Sequence, residues 1–232
     1  MEGSRGLGDV YKRQIFTKLL LSIRSKTLLS LLFCISAAVL SAFLDALTVT
    51  AVLIGVTIGF YRIYHAVASG GSFSDESHDY HANSSINTLK LEELEDFKAF
   101  LRDLVMHGAV GTALGGVCTL VGEPQNLLIA TIAGWEFVEF FLRMAPITMP
   151  VFVAGIFTCF IIERFSIAGF GNQLPPNIRE IFNDYSVYRE ENITAKDRAE
   201  LLVESLVAVF LVIALGLHLS LIHISEPTRP FH

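Results

Sequence analysis

Residues 41–51 read SAFLDALTVTA and place one carboxylate, Asp45, inside a long apolar run that extends from about residue 27 to residue 64. No other charged residue occurs between Leu28 and Tyr61. Asp45 is therefore too far from either end of the run for its short side chain to reach water. A carboxylate at that depth is costly in hydrocarbon, so it indicates a functional site.

The length of this run predicts a turn near Asp45. At about 1.5 Å per helical residue, the run would reach almost twice across a hydrocarbon core of roughly 30 Å. A turn near Asp45 gives two arms with the carboxylate at their tip, either as a re-entrant hairpin or as two short spans. Backbone exposed at that depth must pack in protein or line an aqueous cavity. The plainer alternative is that Asp45 only hydrogen-bonds a neighbouring helix.

The residues around Asp45 suggest what the tip could bind. Ser41, Thr48 and Thr50 carry small hydroxyl groups close to the carboxylate in sequence. A hard cation such as sodium prefers oxygen ligands of this kind. The tip is therefore a candidate sodium site.

Composition places the chain among integral membrane proteins. Of its 232 residues, 52% are hydrophobic and only 17% are charged. The net charge of −6 argues against a nucleic-acid surface. The three cysteines all lie in apolar segments and are interpreted as small buried side chains, with neither a disulfide framework nor a metal site expected.

A second informative stretch, residues 106–130, reads MHGAVGTALGGVCTLVGEPQNLLIA. Its glycines leave little side-chain bulk, so a neighbouring backbone or a substrate could approach closely. Pro124 lacks an amide hydrogen and is expected to break the helix. Freed carbonyls and nearby polar side chains would then converge near the membrane midplane, as in many secondary transporters. The alternative is a plain interfacial loop between two short helices.

These two stretches supply the candidate ion- and proton-binding residues. They are Asp45, Thr48, Thr119, Gly122, Glu123 and Asn126, with Pro124 as the helix break and Na⁺ expected at Asp45 and the 122–126 segment.

An intramembrane aspartyl protease would need a second deep Asp, and the motifs H-E-x-x-H and G-x-S-x-G are absent from the sequence. An enzyme is therefore not expected.

The predicted fold is all-α, a polytopic membrane protein with a re-entrant hairpin and a broken transmembrane helix. From Thr88 onward, apolar residues recur every three or four positions, so a helix should lead from the preceding polar loop into the membrane. Both ends resemble translated adapter sequence. The expected segments are 1–14 adapter-like, 15–26 amphipathic helix, 27–65 hairpin or paired short helices, 66–98 polar loop, 99–135 broken helix, 137–162 span, 163–200 polar loop, 201–219 span, and 220–232 adapter-like.

Four stretches carry a family resemblance: SIRSKTLLSLLFC (22–34), SAFLDALTVTAV (41–52), HGAVGTALGGVCTLVGEPQNLLIA (107–130) and AGWEFVEFFLRMAPIT (133–148). Together they resemble the NhaB-type sodium/proton antiporters of bacterial inner membranes, over nearly all of residues 15–219. More distantly, the chain is similar to the ion transporter superfamily, in which the first motif forms a hairpin tip and the second a broken helix. Many arsenite-type relatives have Asn after the Asp, whereas Ala46 follows Asp45 here, so no amide ligand is expected at that position.

The resemblance implies a multi-pass inner-membrane protein that exchanges Na⁺, with lithium as an alternative ion, for H⁺ by alternating access. No prosthetic cofactor or nucleic-acid partner is implied. A buried carboxylate can hold either a proton or a sodium ion, so competition for Asp45 would couple the two flows. Full-length family members have a second, inverted half, and no second SAFLD or GEPQN motif occurs here. Transport by this chain alone is therefore not expected, and homo-oligomerisation is left open. The alternatives are a sodium-coupled oxyanion or dicarboxylate carrier, or a non-transporting membrane scaffold.

Overall fold

The computed structural model describes residues 25–70 and 88–192, together with Ile23 and isolated positions between 199 and 210. From residue 25 to residue 192, the described chain is helical and contains no strand. Its α-helices are α1 (Lys26–Ser41), α2 (Ala46–Ala68), α3 (Thr88–Gly116), α4 (Pro124–Ala133), α5 (Phe137–Arg164) and α6 (Pro176–Asn192), with a short 3-10 helix at Ile167–Gly169. The expected amphipathic segment 15–26, the span 201–219 and both adapter-like ends lie largely or wholly outside the described residues.

The long apolar run is divided into two helices by a four-residue turn. Ser25 caps α1 by accepting a hydrogen bond from Leu28 N at 3.4 Å. The helix α1 ends at Ser41, and α2 begins at Ala46 after its N-cap, Asp45. The turn thus falls where the sequence places the carboxylate.

Contacts along α3 fix the directions of these two helices. Along α1, Lys26 lies beside Asp103, and a Cβ atom on Gly115 would overlap the backbone of Ala38, so α1 runs parallel to α3. Along α2, Thr50 lies beside Thr112, and Tyr64 lies beside Phe97, so α2 runs antiparallel to α3. The helices α1 and α2 therefore form an antiparallel pair with the 42–45 turn at its tip.

Glycines on α3 allow α1 to approach it closely. A Cβ atom added to Gly111 would overlap the carbonyl oxygen of Cys34, and one added to Gly115 would overlap that of Ala38. The two backbones are thus in direct contact at two points about one helical turn apart, as small-residue helix interfaces in membranes permit. This confirms the close approach expected from the glycine content of the stretch.

An aromatic core joins α2, α3 and α6 at the end away from the tip. Phe182 of α6 lies edge-on to Phe60 with ring centroids 5.3 Å apart, and it contacts Phe97 with centroids 5.7 Å apart. The helix α6 occupies part of the predicted polar loop 163–200, where the sequence analysis expected no helix. It forms because Ile178, Phe182 and Tyr185 recur at helical spacing and are all buried within an otherwise polar stretch.

The break after α3 is longer than predicted and begins earlier. The helix ends at Gly116, and residues 117–123 form turns before α4 begins. Pro124 is the first residue of α4 and does not interrupt a continuing helix. A proline is compatible with that position, because the first amide of a helix has no intrahelical acceptor.

Two described helices are long and apolar enough to cross a membrane, α2 with 23 residues and α5 with 28. The helix α5 contains Pro146 and Pro150 and ends near the start of α1, where Glu163 faces Lys26. The apolar helix α1 has 16 residues and α4 has 10, so each is shorter than the roughly 20 residues that span a bilayer.

Candidate ion-binding site at the hairpin tip

Asp45 has a structural role that the sequence analysis did not predict. Its carboxylate oxygen Oδ2 accepts a hydrogen bond from Thr48 N at 3.1 Å and one from the Thr48 hydroxyl at 3.4 Å. Asp45 thereby caps the N-terminus of α2, where a negative charge also interacts favourably with the helix dipole. The signal was present in the sequence, because Asp immediately precedes a long apolar helical pattern. The carboxylate is partly buried, and Thr48 is exposed.

Asn126 holds the helix break together. Its side-chain nitrogen Nδ2 donates to Gly116 O at 3.0 Å and to Thr119 O at 2.8 Å. Asn126 is only 6% exposed, so it reaches back from α4 into the end of α3. Two of the carbonyls that the break frees are therefore bound by an amide group.

The tip and the break are in contact. Ala46 N donates to Gly122 O at 3.4 Å, and the Thr119 hydroxyl donates to Ala42 O. Gly122 N in turn donates to the Thr119 hydroxyl at 3.3 Å. The structure thus brings Asp45 and the break to one place, directly beside the first residue of α2.

Gly122 must lack a side chain for this contact to form. A Cβ atom there would lie 2.6 Å from Gly116 Cα and 2.7 Å from Ser41 O. Both distances are shorter than real Cβ contacts allow. Gly122 therefore acts through its backbone, by letting the end of α1 and the end of α3 meet.

Glu123 lies at the N-terminal end of α4. Its backbone is extended, with φ −140° and ψ 139°, and its side chain makes no capping hydrogen bond. The partly buried carboxylate lies against Gly116, because a Cβ atom added to Gly116 would be 2.9 Å from Glu123 Oε1. Glu123 is thus a second carboxylate at the junction of the two stretches.

Two further hydroxyl residues, Ser41 and Thr112, lie beside the tip. Ser41 is fully buried, and its hydroxyl has no hydrogen-bond partner among the described residues. Thr112 lies on α3, and its hydroxyl is 3.4 Å from that of Thr50 on α2. Ser41 was expected beside Asp45 from the sequence, whereas nothing in the sequence marks Thr112.

A cavity of about 340 Å³ adjoins the tip on the side of α5. It is lined by Ala42 and Phe43 of the turn, by Thr119 of the break, and by Phe137 and Phe152 of α5. Its walls are almost wholly apolar. The polar groups of the tip therefore lie beside an apolar surface, as expected for a site inside a membrane protein.

The family model of the bacterial Na⁺/H⁺ antiporter B (NhaB) matches residues 10–225 of the chain. The chain belongs to the NhaB family. Curated relatives named Na⁺/H⁺ antiporter NhaB include one from Shewanella halifaxensis at 55% identity and one from Vibrio cholerae at 56%; both matches cover 89% of this chain and 39% of the relative. A relative from Teredinibacter turnerae is 56% identical, over 89% of this chain and 41% of its own length. No solved structure is significantly similar to the chain.

Membership of the NhaB family confirms the resemblance inferred from the four motifs. The alternatives, a carrier for oxyanions or dicarboxylates and a scaffold, receive no support from these relatives. The chain spans about two fifths of the length of the curated relatives it matches. The relatives' names give no residue roles, so the six candidate ligands remain predictions.

Proposed function

We propose that this chain is part of a secondary active transporter that exchanges Na⁺ for H⁺ across the bacterial inner membrane, with Asp45 as the shared carboxylate. The observation that carries the proposal is the contact between the hairpin tip and the helix break, through Ala46 N and Gly122 O at 3.4 Å. This contact places Asp45, the only charged residue between Leu28 and Tyr61, beside an unwound backbone segment. NhaB relatives carry the activity in their names.

The groups at this junction suit a sodium ion. Asp45 supplies a carboxylate, Thr48 and Thr119 supply hydroxyl groups, and the 117–123 segment supplies backbone carbonyls. The side-chain amide of Asn126 already donates to two carbonyls, so we propose that Asn126 fixes the conformation of the 117–123 segment and does not bind the ion. Glu123 is a second group that could bind a proton at the same place.

The mechanism follows from competition for one carboxylate. When Asp45 holds a proton, it is neutral and has no net attraction for a cation; when it loses the proton, its charge favours sodium. Sodium entering from one side therefore displaces a proton, and the reverse exchange occurs on the other side. Alternating access to the tip would convert this competition into antiport.

The short helices α1 and α4 support helix ends that meet within the membrane, whereas α2, the other arm of the hairpin, is long enough to cross it. At about 1.5 Å per residue, α1 extends about 24 Å and α4 about 15 Å, both less than a hydrocarbon core of roughly 30 Å. Short helices whose ends meet at an unwound segment match the transporter pattern of broken helices near the midplane. We propose that a second, inverted half completes the multi-pass protein, and homo-oligomerisation is a further form of assembly to test.

The test uses a chimera in which residues 15–219 of this chain replace the matching region of the Vibrio cholerae relative. The chimera is reconstituted in vesicles that contain a pH dye, and sodium is then added outside. We expect the internal pH to rise in the parent chimera and to stay constant in Asp45→Asn. Lithium added in place of sodium tests whether that ion shares the site.

The Asp45→Asn substitution separates charge from capping, because Asn caps helices about as well as Asp. Thermal unfolding in detergent should therefore change little, by about 0.3–1 kcal/mol for the lost charge–dipole interaction, while exchange is lost. Glu139→Gln is the matched control, since Glu139 pairs with Arg143 on the exposed surface of α5. Full exchange by Asp45→Asn would show that another group couples the two ions.

A further inference from the structure

A second group of buried charges lies at the opposite end of α1 from the tip. It consists of Lys26 on α1, Asp103 and His107 on α3, and Glu163 on α5, and we call it the buried ion cluster. The side chains of Asp103 and Glu163 are fully buried, that of His107 is 2% exposed, and that of Lys26 is 9% exposed. At about 1.5 Å per residue, Lys26 is about 22 Å along α1 from Ser41, so the cluster is separate from the tip.

Asp103 has a complete set of partners. Its oxygen Oδ2 accepts from Asn172 N at 3.1 Å and from Asn172 Nδ2 at 2.9 Å, and it lies 3.6 Å from Lys26 Nζ. Its other oxygen accepts from Arg102 at 3.0 Å. The lone pairs of this carboxylate are therefore satisfied by donors on α3 and on the segment before α6.

Glu163 lacks such partners. Lys26 Nζ lies 3.5 Å from one of its oxygens and His107 Nε2 lies 3.6 Å from the other, and neither oxygen has a hydrogen bond among the described residues. Burying an ionised carboxylate without hydrogen-bond donors is unfavourable. A proton at this place would relieve that cost.

The hydrogen-bond partners of His107 show which of its two ring nitrogens could bind an additional proton. Its Nδ1 lies 2.8 Å from the carbonyl oxygen of Asp103, an acceptor, so Nδ1 carries the hydrogen. In the neutral ring, Nε2 then carries a lone pair and acts as an acceptor. It faces two further acceptors, Cys159 O at 3.4 Å and Glu163 Oε2 at 3.6 Å. Three acceptors, Nε2 of His107, Cys159 O and Glu163 Oε2, thus face one another without a hydrogen between them. A proton bound to Nε2 would make this nitrogen a donor to the two oxygens.

A cavity lies at this end of the molecule, beside Lys26 of the cluster. This cavity of about 390 Å³ is lined by Lys26 and by Phe100 of α3, and on its other side by Gln173 and Arg179. The charged or titratable groups around the pair are Lys26 from α1, Asp103 and its partner Arg102 from α3, and Cys159 one turn before Glu163 on α5. Arg179 of α6 lies further out, at the cavity wall beside Lys26. The segment before α6 adds Phe170, whose ring lies edge-on to His107 at 5.3 Å.

We propose that His107 and Glu163 form a second proton-binding site, remote from the hairpin tip and independent of the sodium site proposed there. The proton binds between Nε2 of His107 and Oε2 of Glu163 and links α3 to α5. Because Lys26 bridges Asp103 and Glu163, occupancy of this site also alters the charge that holds the start of α1.

The test is infrared difference spectroscopy of the histidine-labelled chimera in sodium-free buffer, comparing about pH 5 with about pH 9, the range in which imidazole groups titrate. We expect one imidazolium signal from a buried ring, absent from His107→Gln. It should also be absent from Glu163→Gln, because the Gln amide can donate to Nε2 and satisfy the neutral ring. In His107→Gln, a protonated-carboxyl signal should appear instead and should disappear in the double variant.

Two controls separate this proposal from the proposed function. Asp45→Asn should keep the His107 signal, so a failure of the tip as a sodium site leaves this result intact. Glu139→Gln, at an exposed pair on α5, should also keep it. If the difference spectrum is the same in the parent, in His107→Gln and in Glu163→Gln, the pair binds no proton and the cluster is a structural ion network only. Glu163→Gln is nearly isosteric, so loss or retention of the imidazolium signal in this variant tests the proposal even if His107→Gln fails to fold.

Discussion

At the scale of single residues, Asp45 and Asn126 stabilise the same junction from opposite sides. Asp45 caps the beginning of α2, and Asn126 binds two carbonyls at the end of α3. Each side chain therefore satisfies backbone groups that a helix end would leave unpaired. A residue proposed to bind an ion here also contributes to stability, so tests of function need variants that keep the hydrogen bonds.

Asn126→Asp is expected to destabilise the protein. Asp has the same shape, but its ionised carboxylate cannot donate to Gly116 O or Thr119 O, so two buried carbonyls lose their partner. We expect a loss of about 2 kcal/mol or more in the free energy of unfolding. The measurement is denaturant unfolding of the chimera in detergent.

Gln125→Glu makes the same amide-to-acid change at the neighbouring, exposed position and is the matched control. We expect it to leave stability within about 0.5 kcal/mol of the parent, as surface substitutions usually do. Equal stability of the two variants would mean that Asn126 does not hold the break.

The sequence placed the candidate residues in two stretches but did not predict the contacts between those stretches. Asp45 was identified from its depth in an apolar run, and the break from Pro124 and its neighbours. The hydrogen bond between Thr119 and Ala42 could not be predicted, because these residues are far apart in sequence and no periodic pattern links them. The buried ion cluster was missed for a related reason: Lys26 and Glu163 each look like ordinary charges at a helix end.

At the scale of helices, the fold depends on how closely α1 lies against α3. The contact uses backbone atoms at Gly111 and Gly115, so no side chain can adjust to absorb an added methyl group. The position of the tip relative to the break follows from this contact, because the tip comes directly after α1 and the break directly after α3.

Gly115→Ala should therefore be strongly destabilising. Its Cβ would overlap the carbonyl oxygen and carbon of Ala38, and the two helices would have to separate. We expect a loss of about 3 kcal/mol, the upper part of the usual overpacking range. The measurement is the free energy of unfolding of the chimera, with sodium/proton exchange as a second readout.

Gly55→Ala is the control for this substitution. A Cβ atom at Gly55 has no neighbour within 4 Å, and Ala favours a helix over Gly by about 1 kcal/mol. We therefore expect Gly55→Ala to be neutral or slightly stabilising. A large loss at Gly55, or none at Gly115, would contradict the packing described here.

The contribution of α6 can be tested at Phe182. This side chain is fully buried between Phe60 and Phe97, so Phe182→Ala should lower the free energy of unfolding by about 3–5 kcal/mol. Val187→Ala, on the exposed face of the same helix, should have little effect. Limited proteolysis between residues 165 and 192 provides an independent measure, since loss of the aromatic core should make α6 easier to cleave.

Periodicity predicted most helices and failed where a short apolar pattern lies in a polar stretch. The start of α3 at Thr88 was expected from leucine and phenylalanine spacing, whereas α6 was assigned to a loop because its mean composition is polar. Its three buried apolar residues were outnumbered by charges on the other faces. The end of α3 was placed too late because Pro124 was interpreted as the cause of the break, although the helix has already ended at Gly116.

At the scale of the whole molecule, many large apolar side chains of α4 and α5 face outward. Examples are Leu128 and Ile132 on α4 and Val153 and Phe157 on α5, all more than half exposed. Lipid can cover such a surface, and so can another part of a longer protein. The chain's share of its relatives' length, 39–41%, leaves room for such a part.

We expect this chain reconstituted alone to show no sodium/proton exchange, and the chimera to show it. The physical reason is that alternating access needs a second part of the protein. The tip moves against that part, so that it opens first to one side of the membrane and then to the other. The measurement is the vesicle assay described above, with equal protein and with incorporation of both proteins checked. Exchange by the chain alone would show that one copy, or an oligomer of it, forms a complete pathway.

The backbone contact between α1 and α3 also limits how the protein can move. Helices that touch through carbonyl oxygens and glycines cannot slide past each other by repacking side chains, so the hairpin tip and the helix break must travel as one rigid body. Any hinge has to lie elsewhere, and Gly134, whose backbone is left-handed with φ +67°, joins this body to α5. If the proposed sodium site forms at the tip, the ion and its ligands would move together, and the proposed transport would require this body to slide along its neighbours.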